Sequence, residues 1–154
     1  MQSLTEVVRD TLRDFQTVGA LADAAYVKDC ITVQITPKPH QQPRTLPMGQ
    51  VAVYAFFYDG HALKVGKAGP NTNARYTSQH YYANSAPSTL ARSILNNASR
   101  IGVSGLSDAS VGAWIRENTD RVNLLLPIAV GGPMLSLLEA FLHVRWKPAF
   151  EGRS

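Results

Sequence analysis

The spacing of apolar positions divides the chain into helical and extended stretches. Leu4, Val8, Leu12, Phe15, Val18, Ala22 and Ala25 recur every three or four residues, as on one helix face packed against a neighbour. Ser3-Leu4-Thr5-Glu6 has the spacing of a capping box, so the helix starts there, interrupted but not abolished by Gly19. Ile31, Val33 and Ile35 then alternate with Thr32, Gln34 and Thr36, which predicts a short strand half covered by a neighbour. Pro37, Pro39, Pro43 and Pro47 follow, too many prolines for a helix or an inner strand. Residues 37–48 therefore read as a linker or surface crossing, with His40 a solvated histidine in it.

Two β-prone segments, Val51–Phe57 and Ala62–Gly66, flank Tyr58-Asp59-Gly60-His61, and Asp-Gly between such runs predicts a hairpin. Gly66-Lys67-Ala68-Gly69-Pro70 turns the chain into a helix expected from about Asn71 to Tyr82. That helix carries Arg75, Gln79 and Tyr82 at three- and four-residue steps, with His80 turned slightly aside. Such a face combines a guanidinium fork suited to phosphate with rings that stack on nucleotides. The plainer reading is a solvated helix face with Tyr76 and Tyr81 packed inward.

Leu90, Ile94, Leu95 and Ala98 make Thr89–Ser99 an amphipathic helix with Arg92 on its outer side. Val111, Trp114 and Ile115 do the same for Ala109–Asn118. This helix pair, about 84–119, reads as an insertion. Val122–Val130 is apolar enough for a buried strand, although Pro127 lacks a ladder donor and argues for an edge strand or a bulge. Gly131-Gly132-Pro133 opens the last helix, where Leu135, Leu138, Phe141, Leu142 and Val144 form an apolar face and Ser136, Glu139 and His143 line up on another. Glu139 needs explaining in so apolar a helix. Buried, its charge costs several kcal/mol unless a cation or donors pair with it, and a metal ion would serve. Exposed, it is an ordinary acid beside His143 or Arg145.

At 154 residues the chain is the size of one domain, read as residues 49–154, with residues 1–48 as an extension. Its single cysteine, Cys30, excludes an intramolecular disulfide and a cysteine-rich zinc site. The first residues mix acids and bases without the apolar block of a signal peptide, and no run is long enough for a bilayer. A cytoplasmic protein without membrane attachment is expected. The formal charge of +4 and pI near 9.4 favour polyanionic partners without selecting one.

The ordered set VAVYAFF, LKVGKAG, Arg75 in a helix, a late strand, and Glu139 in a final helix leading to KPAFEG resembles the GIY-YIG nuclease domain over about Gly49–Gly152. Ala52-Val53-Tyr54 stands where that family has Gly-Ile-Tyr, and Lys64-Val65-Gly66 where it has Tyr-Ile-Gly. Arg75 matches the family's helix arginine, and Glu139 its metal-binding glutamate. His80 lies about one residue from a position often filled by histidine or tyrosine. Glu151 stands where many members have asparagine.

The resemblance implies an α+β fold, with a small three-stranded antiparallel or mixed sheet flanked by helices. It implies a DNA endonuclease that hydrolyses phosphodiester bonds with a divalent metal, Mg²⁺ or Mn²⁺, with RNA left open as a substrate. In that scheme Glu139 holds the metal, and Tyr54 acts as general base toward water. Lys67 lowers the tyrosine's barrier or touches phosphate, Arg75 clamps the scissile phosphate, and His80 completes the catalytic set. Lys64, Lys67, Arg75, Arg92, Arg145 and Lys147 would contact the nucleic-acid backbone. The N-terminal helix is the spare element, available for specificity or for a homodimer. Lys64 and Glu151, as departures from the pattern, fit an alternative: a non-cleaving nucleic-acid-binding module that keeps the fold. A partner-binding domain whose basic excess is incidental is the third reading.

Overall fold

A computed structural model describes residues 1–150; Glu151, singled out above, lies outside the described residues. Helix α1 (Leu4–Leu21) begins on the expected capping box. The Glu6 amide donates to Ser3 Oγ, and the Ser3 amide donates back to the Glu6 carboxylate at 2.8 Å. Gly19 leaves room for the 3₁₀ turn at Ala25–Asp29 to fold back on α1. A Cβ there would lie 3.2 Å from both the Ala24 carbonyl oxygen and Val27 Cγ1.

Strands β1 (Thr32–Thr36), β2 (Gln50–Tyr58) and β3 (His61–Ala68) come next, then helices α2 (Asn73–Thr77), α3 (Leu90–Asn97) and α4 (Val111–Asn118). Strand β4 (Asp120–Pro127) and helix α5 (Gly132–Trp146) complete the α+β fold. The β2–β3 hairpin turns through Asp59 and Gly60, with φ of +53° and +80°. Two successive positive φ values are what a two-residue turn between right-twisted strands requires.

All pairings are antiparallel and the strand order is β1-β4-β2-β3. The sheet thus has four strands rather than the expected three. The extra one comes from the first 48 residues, since β1 pairs along β4 from Thr32↔Leu125 to Thr36↔Arg121. Strand β4 is therefore interior, contrary to the edge position that Pro127 suggested. Pro127 is its last residue, opposite Gln50, where a missing donor interrupts little of the ladder.

The proline-rich crossing is tied down at its start. The Lys38 amide donates to Asp120 Oδ1 at 2.8 Å, and the His40 amide to the Arg116 carbonyl at 2.8 Å. His40 is 4% exposed rather than solvated. Its ring fits between the Thr119 carbonyl and the Tyr81 hydroxyl, at 2.7 and 2.8 Å, so both nitrogens are satisfied within the protein.

Alternation along the strands sends two sets of side chains to two cores. Val53, Ala55, Phe57, Val122 and Leu124 meet α1 and α5 through Val8, Phe15, Leu138 and Leu142. The opposite set, Ala52, Tyr54, Phe56 and Leu125, meets Tyr76, Tyr81, Leu90, Ile94, Val111 and Ile115. The two helices read as an insertion thus enclose the second core, and each fully buried Leu or Ile there contributes about 1.5–3 kcal/mol. Helix α1 has its apolar face committed to the first core, with Phe15 and Phe141 rings 5.2 Å apart. Two side-chain bonds tie it to α5, from Trp146 Nε1 to Thr11 and from Arg145 to Asp14.

The helix expected over 71–82 is broken. Helix α2 stops at Thr77, and a 3₁₀ turn holds Gln79–Tyr81. The Thr77 and Ser78 hydroxyls donate back to the carbonyls of Asn73 and Ala74, a local competition that commonly ends helices. Arg75, Gln79 and Tyr82 therefore share no continuous helical face, while Tyr76 and Tyr81 are both buried. Among the described residues no helix is long and apolar enough to cross a membrane.

Candidate functional site

Tyr54 pairs with Gly66 across the hairpin, and the glycine is what lets the tyrosine ring lie over β3. A Cβ at Gly66 would come 2.5 Å from the Tyr54 hydroxyl oxygen and 2.7 Å from Cζ, closer than real contacts allow. The tyrosine is 1% exposed, and its hydroxyl is 2.6 Å from His80 Nε2. The Leu90 amide donates to His80 Nδ1 at 3.1 Å. That bond leaves Nδ1 without a proton, so the neutral ring carries its hydrogen on Nε2 and donates to Tyr54.

Burial, reinforced by the charges of Lys64, Arg75 and Arg121, pushes the His80 pKa down to about 2. His80 is thus a neutral donor that aims the tyrosine and cannot take its proton at Nε2. Burial pushes the Tyr54 pKa up to about 12; Arg75 and then Arg121 oppose it, and the charge on Glu139 adds to it.

Helix α5 brings Glu139 to this place by packing along β3. Lys67 Nζ donates to Ser136 Oγ at 2.8 Å, and His143 Nε2 lies 3.1 Å from the Val65 carbonyl oxygen. Glu139 lies between Ser136 and His143 on the same stripe of the helix, near enough for its charge to act on Tyr54. It is half-buried and, among the described residues, forms no ion pair or hydrogen bond.

The sequence-predicted cations divide. Arg75, half-buried in α2, is close enough for its guanidinium to favour the Tyr54 phenolate. Lys64 pairs with Phe56, on the tyrosine's face of the sheet, and is buried. Lys67 pairs with Val53 and so belongs to the opposite face, where it serves Ser136 instead of Tyr54. Arg92 is occupied by Asn84, the Ala83 carbonyl and Asp108. Arg145 is paired with Asp14 at 2.8 Å. Lys147 is exposed just past α5, in a left-handed conformation that ends the helix.

Sequence reasoning missed Arg121. It is 1% exposed, and its guanidinium donates to Asn123 Oδ1, to the Tyr81 hydroxyl and to the Tyr76 carbonyl at 2.9, 3.0 and 2.6 Å. The Tyr54, Phe56 and Tyr76 ring centroids lie 5.3, 5.1 and 5.0 Å from its central carbon. The available signal was parity. Arg121, Asn123 and Leu125 alternate with Val122, Leu124 and Leu126, so the polar pair shares the face of Tyr54 and Phe56.

No family model, curated protein or solved structure matches this chain. The site rests on its own geometry. Among the described residues no three His, Cys, Asp or Glu side chains cluster to hold a metal. A lone half-buried carboxylate still suits Mg²⁺, which keeps several waters and is often held by only one or two protein carboxylates. Glu139 fits that role, because neither a described cation nor a described donor occupies it.

Proposed function

We propose that this chain is a metal-dependent endonuclease of GIY-YIG type that hydrolyses phosphodiester bonds in DNA. The observation that carries the reading is the docking of α5 along β3. It brings Glu139, which among the described residues has no ion pair or hydrogen bond, close enough for its charge to act on Tyr54 where that ring crosses Gly66, with Arg75 near the same hydroxyl. Residues far apart in sequence, and matching the nuclease pattern in order, share one locality.

In this reading Arg75 grips the non-bridging oxygens of the scissile phosphate through its planar fork. His80 donates to the Tyr54 oxygen and fixes its direction. Tyr54, once ionised, takes the proton of the attacking water while the water oxygen bonds to phosphorus and the ester P–O bond breaks. Glu139 would hold the divalent ion, which when bound would supply charge neutralisation at the phosphate. Arg75 and Arg121 offset the burial that otherwise keeps Tyr54 protonated.

A second reading, a nucleic-acid-binding module without cleavage, is favoured by one observation. The Tyr54 phenol is buried and pushed up to about 12, far from the value of a ready base at neutral pH. Incubation of supercoiled, linear and branched DNA with Mg²⁺ or Mn²⁺ separates the two. Cleavage is expected; salt-dependent binding with every form left intact supports the second reading instead.

A further inference from the structure

Arg121 is a full positive charge taken out of water. Three hydrogen bonds hold it, yet among the described residues no carboxylate pairs with it. Removing a charge from water costs several kcal/mol when nothing compensates it, and a buried arginine ordinarily faces an acid. Here the compensation is aromatic: the faces of Tyr54, Phe56 and Tyr76, whose negative π-clouds attract cations. The charge is also anchored from behind. Arg121 donates to the Tyr81 hydroxyl, and His40, which must donate from Nδ1 to the Thr119 carbonyl, accepts that hydroxyl's proton at Nε2. The proline-rich crossing thereby braces a relay that ends on the ring of Tyr54.

We propose that Arg121 is a positioning residue for Tyr54: its caged guanidinium fixes the ring over Gly66 and stabilises negative charge on the phenolic oxygen. This rests on the nuclease reading for its purpose but not for its test. Arg121 is buried, so its effect is expected on Tyr54 rather than through direct contact with DNA. The other groups that act on Tyr54 are Arg75 from α2, His80 through its hydrogen bond, and Glu139 from α5, while Lys64 acts on His80. Arg75 and Arg121 favour the phenolate, and Glu139 opposes it. No hydrogen bond joins Glu139 to Tyr54, so the acid acts only through its field.

The experiment places a difluorotyrosine, which ionises at milder pH than tyrosine, at position 54 and follows its ionisation by fluorine NMR without added metal. Arg121→Met, which removes the charge but keeps bulk, is expected to move the titration to higher pH, with about tenfold less phenolate at a given pH. Arg121→Lys keeps the charge without the fork and is expected to fall between. If Arg121→Met does not fold, the lysine variant decides alone: a titration unmoved from the parent, with an unchanged fluorine shift, overturns the proposal. In cleavage assays the variants are expected to lose kcat at unchanged KM. A moved titration in a protein that never cleaves sinks the nuclease reading and leaves Arg121 in its role. An unmoved titration in a protein that cleaves through Tyr54 does the reverse.

Discussion

His80 is a histidine that folding keeps neutral, and this fixes how stability must respond to acid. Its ordinary pKa of 6.5 falls to about 2 in the folded chain, chiefly through burial and then through Lys64, Arg75 and Arg121. Below pH 6.5 the unfolded chain binds a proton that the folded chain refuses, so stability is full above 6.5 and falls as pH drops toward 2. The slope for one such group is about 1.4 kcal/mol per pH unit, so His80 alone removes about 2 kcal/mol between pH 7 and pH 5. His40, lowered first by burial, adds in the same direction. The perturbation is His80→Gln, whose amide can still donate toward Tyr54 but does not titrate. Urea unfolding of parent and variant at the two pH values gives the comparison. The variant starts less stable at pH 7 but should lose about 2 kcal/mol less on acidification. Equal losses in the two proteins would show that His80 is not held neutral, and the tautomer argument at Tyr54 would fall with it.

Three further expectations concern the same geometry. Gly66→Ala forces a Cβ to within 2.5 Å of the Tyr54 oxygen; it should cost about 1–3 kcal/mol by denaturant unfolding and abolish cleavage, and an unchanged midpoint contradicts the packing described. Thr89, 1% exposed, accepts the Arg92 amide at 3.0 Å as the N-cap of α3. Thr89→Ala should cost about 1 kcal/mol in the same assay. Because phenolate is scarce at neutral pH, the cleavage rate should rise about tenfold per pH unit above pH 7. A flat profile, or a rise that survives Tyr54→Phe, removes Tyr54 from the role of base.

Much of the fold was legible because local signals agreed with one another. Asp59-Gly60 between β-prone runs gave the hairpin, and Ser3 with Glu6 gave the start of α1. The fourth strand was harder to place. Ile31, Val33 and Ile35 announce a strand, but nothing local says that β1 pairs with β4 from the far end of the chain. The polar neighbours of His40 imply solvent, whereas its partners, Thr119 and Tyr81, come from distant residues. Sheet parity separates the two lysines: Lys64 and Lys67 differ by an odd number of residues and so occupy opposite faces of β3, which places Lys67 beside Ser136 and away from the Tyr54 ring. At the site, Tyr54, Arg75 and Glu139 were readable as residue types in order. Arg121 was not, because a charge just before an apolar strand ordinarily marks the strand's end in solvent, and only the register with Phe56 and Tyr54 shows it buried.

In the proposed function, Tyr54 and Glu139 serve one phosphodiester-cleaving site assembled by α5 against the hairpin. Nicking of supercoiled plasmid in Mg²⁺ by the parent, Tyr54→Phe and Glu139→Ala proteins, each shown folded and each measured for duplex affinity, tests it most directly. Cleavage by the parent and its loss in both variants, with binding retained, is the predicted result. Variants that nick as well as the parent, or a folded parent that nicks nothing, would contradict it.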